Sequence, residues 1–551
     1  MAERMFGVET EYAVSAVDAH GQVVDRLPVL RRMLDLLRQR SPTLVDPTGR
    51  GVFLPNGARC YIDYPDHPEF ATPEVANPWD AVRYQRAGDR LLAELAAAAA
   101  PPGGAVFTLR CNVDYSGTDS TWGQHESYLH TCDPDVLPAQ MIPHLVSRIS
   151  YTGAAGFDSL RPHGAHFTLS PRAWHLHHAA SCESQFDRGI FHTKQESLSR
   201  AGYHRLHVLA GESLASDTAA WLKVATTALV VALIDGGVRP GDGVQLRQPV
   251  AAMRTFASDS ACRATANTTD GRLVRALDIQ RQYLVCAEQH VGAPFMPPWA
   301  DEACRRWRVI LDLLEGAPDA VATTLDWAIK LALFVRHASR RGVAWASVPH
   351  WNEVAQTLDD AVRRSDCPDK RPLVDVLLGR RSPVAGTVPA VTPQLAARGL
   401  TWDGLKSFGA LRQELFELDA RFAQLGGGGV FSALERAGVL THAVPGVDNI
   451  EHAMAHPPAT GRARVRAAYV RELGRADTGR VSCDWSGVWD WRRQRTVDLR
   501  DPFTSAGAWG RWIPTHVAWG ARRDALDLTQ ERPVEPDVPR VEDTDTLPLP
   551  F

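Results

Sequence analysis

The sequence predicts an α+β protein in which strands and helices interleave early and helices dominate later. Three observations carry this expectation. Short segments before residue 210 alternate polar and apolar side chains with the two-residue period of a strand. Longer Ala- and Leu-rich segments repeat with the period of a helix. From about Thr218 onward the pattern is mostly helical.

In chain order, Gly7-Val8-Glu9-Thr10-Glu11-Tyr12 reads as a strand with Glu9 and Glu11 on one face. Leu27 to Arg40 follows as a helix, with apolar positions at Leu30, Leu34 and Leu37. A second acidic strand begins near Val52 and includes Asn56-Gly57-Ala58-Arg59-Cys60-Tyr61-Ile62-Asp63, which places Arg59, Tyr61 and Asp63 on a common face. A long helix from about Asp80 to Ala99 stops at Pro101-Pro102-Gly103-Gly104. Val106 to Asn112 is a strand, residues 117–121 a polar loop, and Gly123 to Leu129 a strand carrying His125 inward. Further strands are expected at His166–Ser170 and Tyr203–Val208.

Gly379 to Val391 marks an insertion or linker. Gly426 to Gly429 lies between two helical patterns without a G-K-S/T signature, so it is a chain break and not a phosphate cradle. A compact unit from about His452 to Trp512 includes a basic helix, Arg462 to Arg475, whose Arg462, Arg464 and Arg466 are expected to form a solvated face. The tail from Arg532 to Phe551 is rich in Pro, Asp and Glu and is expected to be disordered.

The chain has 551 residues, enough for a large domain plus a smaller one. Its 44% hydrophobic and 23% charged residues with a net charge of -4 describe a soluble globular protein without general nucleic-acid affinity. The apolar run Val224 to Ile234 is too short to span a bilayer and reads as a buried helix, so no membrane role is expected. Nine cysteines without a C-x-x-C pair argue against both a disulfide framework and a zinc knuckle, which points to the cytoplasm.

Carboxylates stacked on one strand face repel unless a cation sits between them. Glu9 and Glu11, with Glu69 and Glu74 further on, are hard oxygen donors suited to Mg²⁺ together with substrate phosphate oxygens. The cluster His175-Leu176-His177-His178 invites a metal reading but is better explained as a solvated helix or loop.

Several segments occur together in an order that resembles the Pup ligase and Pup deamidase/depupylase family. They are the two acidic strands, His67-Pro68-Glu69-Phe70-Ala71-Thr72, His125-Glu126-Ser127-Tyr128-Leu129 and Tyr203-His204-Arg205-Leu206-His207-Val208, with shorter echoes at Leu169–Arg172, Ala276–Arg281, Asp326–Lys330, Pro457–Arg464 and Asp501–Phe503. The resemblance implies a glutamine synthetase-like fold: a curved, largely antiparallel sheet holding ATP and Mg²⁺, backed by helices, with a small C-terminal domain. It divides the chain into a catalytic domain at 1–450 with an insertion near 355–405, a small domain at 451–512, and an extension beyond.

The resemblance also implies an activity: ATP-dependent joining of the side-chain carboxylate of a C-terminal Glu on Pup, a small disordered protein, to a lysine amine of a target protein. It implies metal ligation by Glu9, Glu11, Glu69 and His125, cofactor binding by Arg59, Asn112, Arg205 and His207, and catalysis by Asp63 as base, Tyr61 orienting it, and Arg172 on the transferring phosphoryl group. Only 44 residues separate Glu11 from Asn56, which resembles the ligase branch; the deamidase branch carries a long insertion there. Alternatives are a deamidase or isopeptidase acting on Pup ending in Gln or Glu, a small-molecule carboxylate-amine ligase, and a non-catalytic binding protein. Departures from the family pattern fall at His192–Leu198, Arg110-Cys111-Asn112 and Gly211-Glu212.

Overall fold

The computed structural model describes residues 4–182, 187–192, 198–364, 392–397, 401–475, 480–504 and 512–515, with Asp375, Leu377 and Gly379. The rest of the proposed linker, the tail from residue 516, and Thr193 to Ser197 of the departing loop lie outside the described residues.

The first strand, β1 (Phe6–Glu11), is followed by α1 (Arg26–Arg40), β2 (Leu44–Val45), β3 (Gly51–Phe53), β4 (Arg59–Asp63), β5 (His67–Ala71) and α2 (Pro78–Ala99). Next come β6 (Gln124–His130), α3 (Leu137–Ser147), β7 (His178–Ser181), β8 (Gly189–His192), β9 (His204–Val208) and α4 (Asp217–Asp235). The helical half contains α5 (Ala276–Gln289), α6 (Ala300–Gly316), α7 (Asp326–Arg340) and α8 (Trp402–Ala423). The C-terminal unit supplies α9 (Arg462–Leu473), β10 (Val481–Cys483), β11 (Gly487–Asp490), β12 (Arg495–Asp498) and β13 (Trp512–Pro514).

These strands form one sheet in the order β7-β8-β9-β6-β1-β5-β4-β3-β2-β10-β11-β12-β13. All neighbours are antiparallel except β7 with β8 and β2 with β10. The α+β expectation therefore holds. Two expected strands join different sheets: Ala105–Leu109 pairs with Ala13–Val17, and Phe167–Thr168, within the strand expected at His166–Ser170, pairs with Gly156–Phe157.

The two faces of the sheet have opposite chemistry because side chains alternate along each strand. On β1, Phe6, Val8 and Thr10 are buried while Gly7, Glu9 and Glu11 are half-buried on the other face. On β6, Gln124, Glu126, Tyr128 and His130 are buried while His125, Ser127 and Leu129 share the face of Glu9. The buried face packs against helices. α4 is buried at nearly every position, which confirms the reading of Val224 to Ile234 as a core helix; α4 is long and apolar enough to cross a membrane, yet 94% of that stretch lies inside the protein.

This core encloses charge as well as hydrocarbon. Glu126 and Arg148 form a fully buried bidentate pair at 2.6 and 2.8 Å. Lys223 of α4, 1% exposed, donates to the Gln124 side chain and to the Glu212 carbonyl at 2.8 Å, and burial lowers its pKa to about 8. Buried charges persist only when paired and hydrogen-bonded. Here they tie α3, α4 and β6 into a rigid backing for the opposite face.

At the far side, α9 folds onto the turn between β3 and β4. Arg462 and Arg466, 6% and 0% exposed, converge on Glu74, with Arg462 Nε at 2.6 Å. The expected solvated arginine face is therefore corrected: of the three arginines only Arg464 is exposed. Arg466 also donates to the Gly57 carbonyl at 2.9 Å and lies 4.7 Å from the Trp485 ring, a cation–π contact.

Candidate active site

Strand register builds the site. Glu11 lies opposite Glu69, Glu69 opposite Tyr61, Asp63 opposite His67, and Glu9 opposite His125. Directly opposed residues share a face, so β1, β4, β5 and β6 bring four carboxylates and two imidazoles together. β9 adds Arg205 and His207. A Cβ on Gly51 of β3 would lie 2.3 Å from that of Tyr61, so only glycine lets β3 approach the tyrosine.

Charge repulsion within the cluster acts on its titratable groups. Burial, then Glu9, Glu11 and Asp63, push the Glu69 carboxyl well above the usual range. Burial also raises Glu11, but His125, His67, Arg172 and the Gly123 N–H outweigh it and hold the group below its ordinary value. Burial lowers His125 from the ordinary histidine value. The Gly123 N–H donates to Glu11 Oε2. Burial, Arg205, His125 and His192 push His207 well below the ordinary histidine value.

Within this cluster two groups have cation-binding geometry, Glu9 with His125 and His207, and Glu11 with His67 and Glu69, each with ligand atoms within 4.8 Å of one another. The Nε2 atoms of His67 and His207 are buried without a hydrogen-bond partner. Such orphaned acceptors beside crowded carboxylates fit divalent cations. All four expected metal residues, Glu9, Glu11, Glu69 and His125, are brought together.

His67 is the residue that sequence reasoning missed; its signal was the i, i+2 spacing from Glu69. Glu74, counted among the acidic donors, is not in the cluster. Burial raises its carboxyl, but Arg466 and Arg462 pull harder and hold it at about 2, so it is an ion-pair anchor for α9.

The remaining expected residues divide. Arg205 Nη2 reaches Glu9 Oε1 at 3.0 Å and His207 Nε2 stands 3.7 Å from Glu9 Oε2. Arg59 stacks 3.8 Å over the Tyr61 ring, but its Nε and Nη2 are engaged by Asp46 Oδ2 at 3.0 and 2.6 Å. The Tyr61 hydroxyl, kept protonated by burial and by Glu69 and Glu9, donates to Glu69. Orientation of Asp63 by Tyr61 is thus corrected: its partner is the carboxylate across the strand pair.

Asp63 is half-buried at the strand end, and its carboxylate accepts no hydrogen bond among the described residues. Asn112 is buried, and its amide accepts from Ser213 N at 2.8 Å and donates to Ser213 O at 3.3 Å, a main-chain clamp.

Arg172 is 2% exposed, donates to Thr121 Oγ1 and the Leu209 carbonyl at 2.9 Å each, and is lowered by burial to about 10. Its Nε is buried without a hydrogen-bond partner, and its charge acts on Glu11. Glu212 holds the Arg172 N–H at 3.0 Å and the Ser170 hydroxyl at 2.9 Å, so this departure from the family pattern is a main-chain staple. In the histidine cluster, His175 is buried between Ser159 Oγ at 2.9 Å and Asp119 at 3.1 Å, while His177 and His178 are exposed; neither solvated loop nor metal site describes His175.

A family model described as Pup-ligase protein matches residues 4–360 and 398–489. Pup–protein ligase 1 of Rhodococcus erythropolis is 31% identical over 521 residues, covering 92% of this chain and 97% of that one. The Pup deamidase/depupylase of Mycolicibacterium smegmatis is 36% identical over 325 residues, covering 57% of this chain and 64% of that one. Among solved structures, the complex of the prokaryotic ubiquitin-like protein Pup with its ligase PafA has a TM-score of 0.68 at 22% identity and covers 96% of each chain. PafA in complex with ADP has a TM-score of 0.61 at 22% identity, covering 91% of this chain and 94% of that one. At that identity the likeness establishes the fold.

Proposed function

Because the chain belongs to the Pup-ligase protein family, we propose that it is an ATP-dependent ligase that joins the side-chain carboxylate of a C-terminal Glu of Pup to a lysine amine of a target protein. The observation that carries the direction is coverage. Ligase relatives align along 92% of this chain, whereas the depupylase alignment spans 57%. The cluster of Glu9, Glu11, Glu69, His67, His125 and His207 supports the metal-dependent chemistry that such a ligation needs.

A carboxylate resists amine attack because it is negatively charged and oxide is a poor leaving group. When bound, ATP with Mg²⁺ would supply the phosphoryl group that makes the carboxylate electrophilic and the positive charge that steadies it. The protein's share is preorganisation. Glu11 and Glu69, with Tyr61 donating to the latter, would hold the oxygen-rich cation set. Arg205 fixes one oxygen of Glu9 and leaves the other toward His207. His125, His67, Arg172 and the Gly123 N–H together hold the Glu11 carboxyl below its ordinary value against burial.

Asp63 would take the proton. An incoming lysine has a pKa of about 10.4 and attacks only when neutral, so it needs a base. Asp63 sits beside the cation cluster at the end of β4 with its carboxylate free among the described residues. In the reverse reading, which the depupylase match favours, the same carboxylate would serve water.

Incubation with Pup ending in Glu, ATP, Mg²⁺ and a lysine-bearing target should yield a conjugate lighter than its parts by one water in intact-protein mass spectrometry. Asp63→Asn should slow conjugation by about 100- to 10,000-fold, the usual range for a general base, with nucleotide affinity little changed. No conjugate under these conditions, together with cleavage of a preformed conjugate, would assign the hydrolase instead.

A further inference from the structure

The base assigned to ligation sits where its strand outruns a neighbour. β3 stands opposite Arg59, Cys60 and Tyr61 of β4 and begins at Gly51, so Ile62 and Asp63 extend past its end. Beyond Asp63 the chain turns through Tyr64, Pro65 and Asp66 into β5, with the Asp66 N–H donating to the Asp63 carbonyl at 2.7 Å. Asp66 has a φ of 79°, a left-handed conformation that costs energy in a residue other than glycine. Tyr64, 57% exposed, and Pro65 both face solvent, so the turn has no buried apolar side chain to fix it.

Two arginines fix it instead, through the main chain. The Arg50 carbonyl accepts the Ile62 N–H at 3.1 Å, and the side chain of the same residue takes over past the end of β3. Its Nε donates to the Ile62 carbonyl at 2.9 Å, and its Nη2 to the Asp63 carbonyl and to Asp66 Oδ1 at 3.3 Å each. From the start of α1, Arg26 donates Nε to the Asp66 carbonyl at 3.1 Å and Nη2 to the Pro65 carbonyl at 3.2 Å. Guanidinium donors thus hold the carbonyls of Ile62, Asp63, Pro65 and Asp66. Arg50 is itself seated: its N–H donates to Thr48 Oγ1 at 3.3 Å, the Thr48 hydroxyl donates to Asp46 Oδ1 at 2.6 Å, and Asp46 Oδ2 holds Arg59.

The Asp63 carboxylate accepts no hydrogen bond among the described residues, so its aim follows the main chain that carries it. A misplacement of about 1 Å in a reacting group costs on the order of 100-fold in rate. We propose that Arg50 is a positioning residue for the ligation: its planar fork holds the Ile62 and Asp63 carbonyls and so points Asp63 at the incoming amine, while Arg26 holds the far half of the same turn. The inference rests on the ligase reading, in which Asp63 takes the lysine proton. The partners of the Arg50 side chain are two carbonyls and Asp66, not cation ligands. Arg50 therefore acts at the proton transfer to Asp63, after the carboxylate has been activated.

The test separates these two steps by changing the nucleophile. Hydroxylamine is neutral in neutral solution and attacks an acyl phosphate without a base, giving a hydroxamate and phosphate, whereas a lysine amine must first lose its proton. In the full chain with Pup ending in Glu, ATP and Mg²⁺, Arg50→Ala should slow conjugation to a lysine-bearing target by about 10- to 100-fold through kcat, with hydroxamate formation and the KM for ATP changed by less than about threefold. Arg50→Lys, a point donor in place of a fork, should recover part of the loss. The deficit should shrink as pH rises toward about 10, where the target lysine gives its proton to solvent. In an Asp63→Asn background the same Arg50→Ala change should add less than about threefold, because Arg50 acts through Asp63. Unchanged conjugation by Arg50→Ala, equal losses of hydroxamate and conjugate, or a full additional loss in the Asp63→Asn background would each overturn the proposal and leave the ligase reading standing. A wild-type protein that forms neither hydroxamate nor conjugate overturns the ligase reading and takes the proposal with it.

Discussion

Replacing Glu74 by Gln leaves two buried guanidinium groups without their shared carboxylate. Gln keeps the shape of the side chain but turns one of the two acceptor oxygens into an NH₂ facing a guanidinium donor, so the perturbation removes the charge and an accepted hydrogen bond together. Arg466 and Arg462 hold the Glu74 carboxyl at about 2 against an ordinary 4.5. At about 1.4 kcal/mol per pKa unit this is about 3 kcal/mol of stability. Removing one member of a buried pair independently predicts about 3–5 kcal/mol.

The sign also fixes a pH window. Because the folded-state pKa is depressed, the contribution is complete above 4.5 and is lost as pH falls toward 2. Urea denaturation followed by far-UV circular dichroism should show Glu74→Gln less stable than wild type by about 3 kcal/mol at pH 7, with the gap less than half as large by pH 3. Adding Arg466→Met, which removes one orphaned charge, should recover part of the loss. A difference below about 1 kcal/mol at pH 7, or one undiminished at pH 3, would refute the argument that this ion pair holds α9 to the sheet.

Two further outcomes test the backing and the cluster. Gly123→Ala places a Cβ 2.7 Å from Arg172 Nη2, in a guanidinium already fixed by Thr121 and Leu209; conjugation should slow by about 10- to 100-fold with nucleotide affinity retained, as steady-state kinetics and calorimetry would show. Burial lowers Lys223 to about 8 from 10.5, so the unfolded chain binds that proton more tightly; stability should rise between pH 8 and 10.5 by up to about 3 kcal/mol relative to Lys223→Met in parallel urea titrations.

Much of the site was legible because strand alternation is a local signal. Glu9 with Glu11, and Arg59 with Tyr61 and Asp63, share faces by spacing alone, and the structure brings both sets together. What stayed hidden depends on pairing register and on distant partners. His67 gains its meaning only when β5 aligns Glu69 with Glu11. Glu74 looked like another acidic donor because Arg462 and Arg466 stand 388 and 392 residues away in sequence. Arginines on a helix were read as solvated since charged residues are rarely buried without a partner, and that partner was invisible. The partners of Asn112, Arg172 and Glu212 stayed hidden for a related reason: they include main-chain groups, which leave no mark on composition or periodicity.

The junction between β2 and β10 has a consequence for how the chain is made. Val45 pairs with Ser482, so the edge of the sheet beside the site stays open until roughly 440 further residues have been synthesised. At about 5–20 residues per second that interval is on the order of a minute. An open strand edge is a template for pairing with other chains. During each round of translation the nascent protein therefore exposes β2 for far longer than a hairpin needs to form, and the late arrival of β10 closes the edge. Truncation before residue 480 should favour insoluble product through that edge, even though every described cation ligand has already been made.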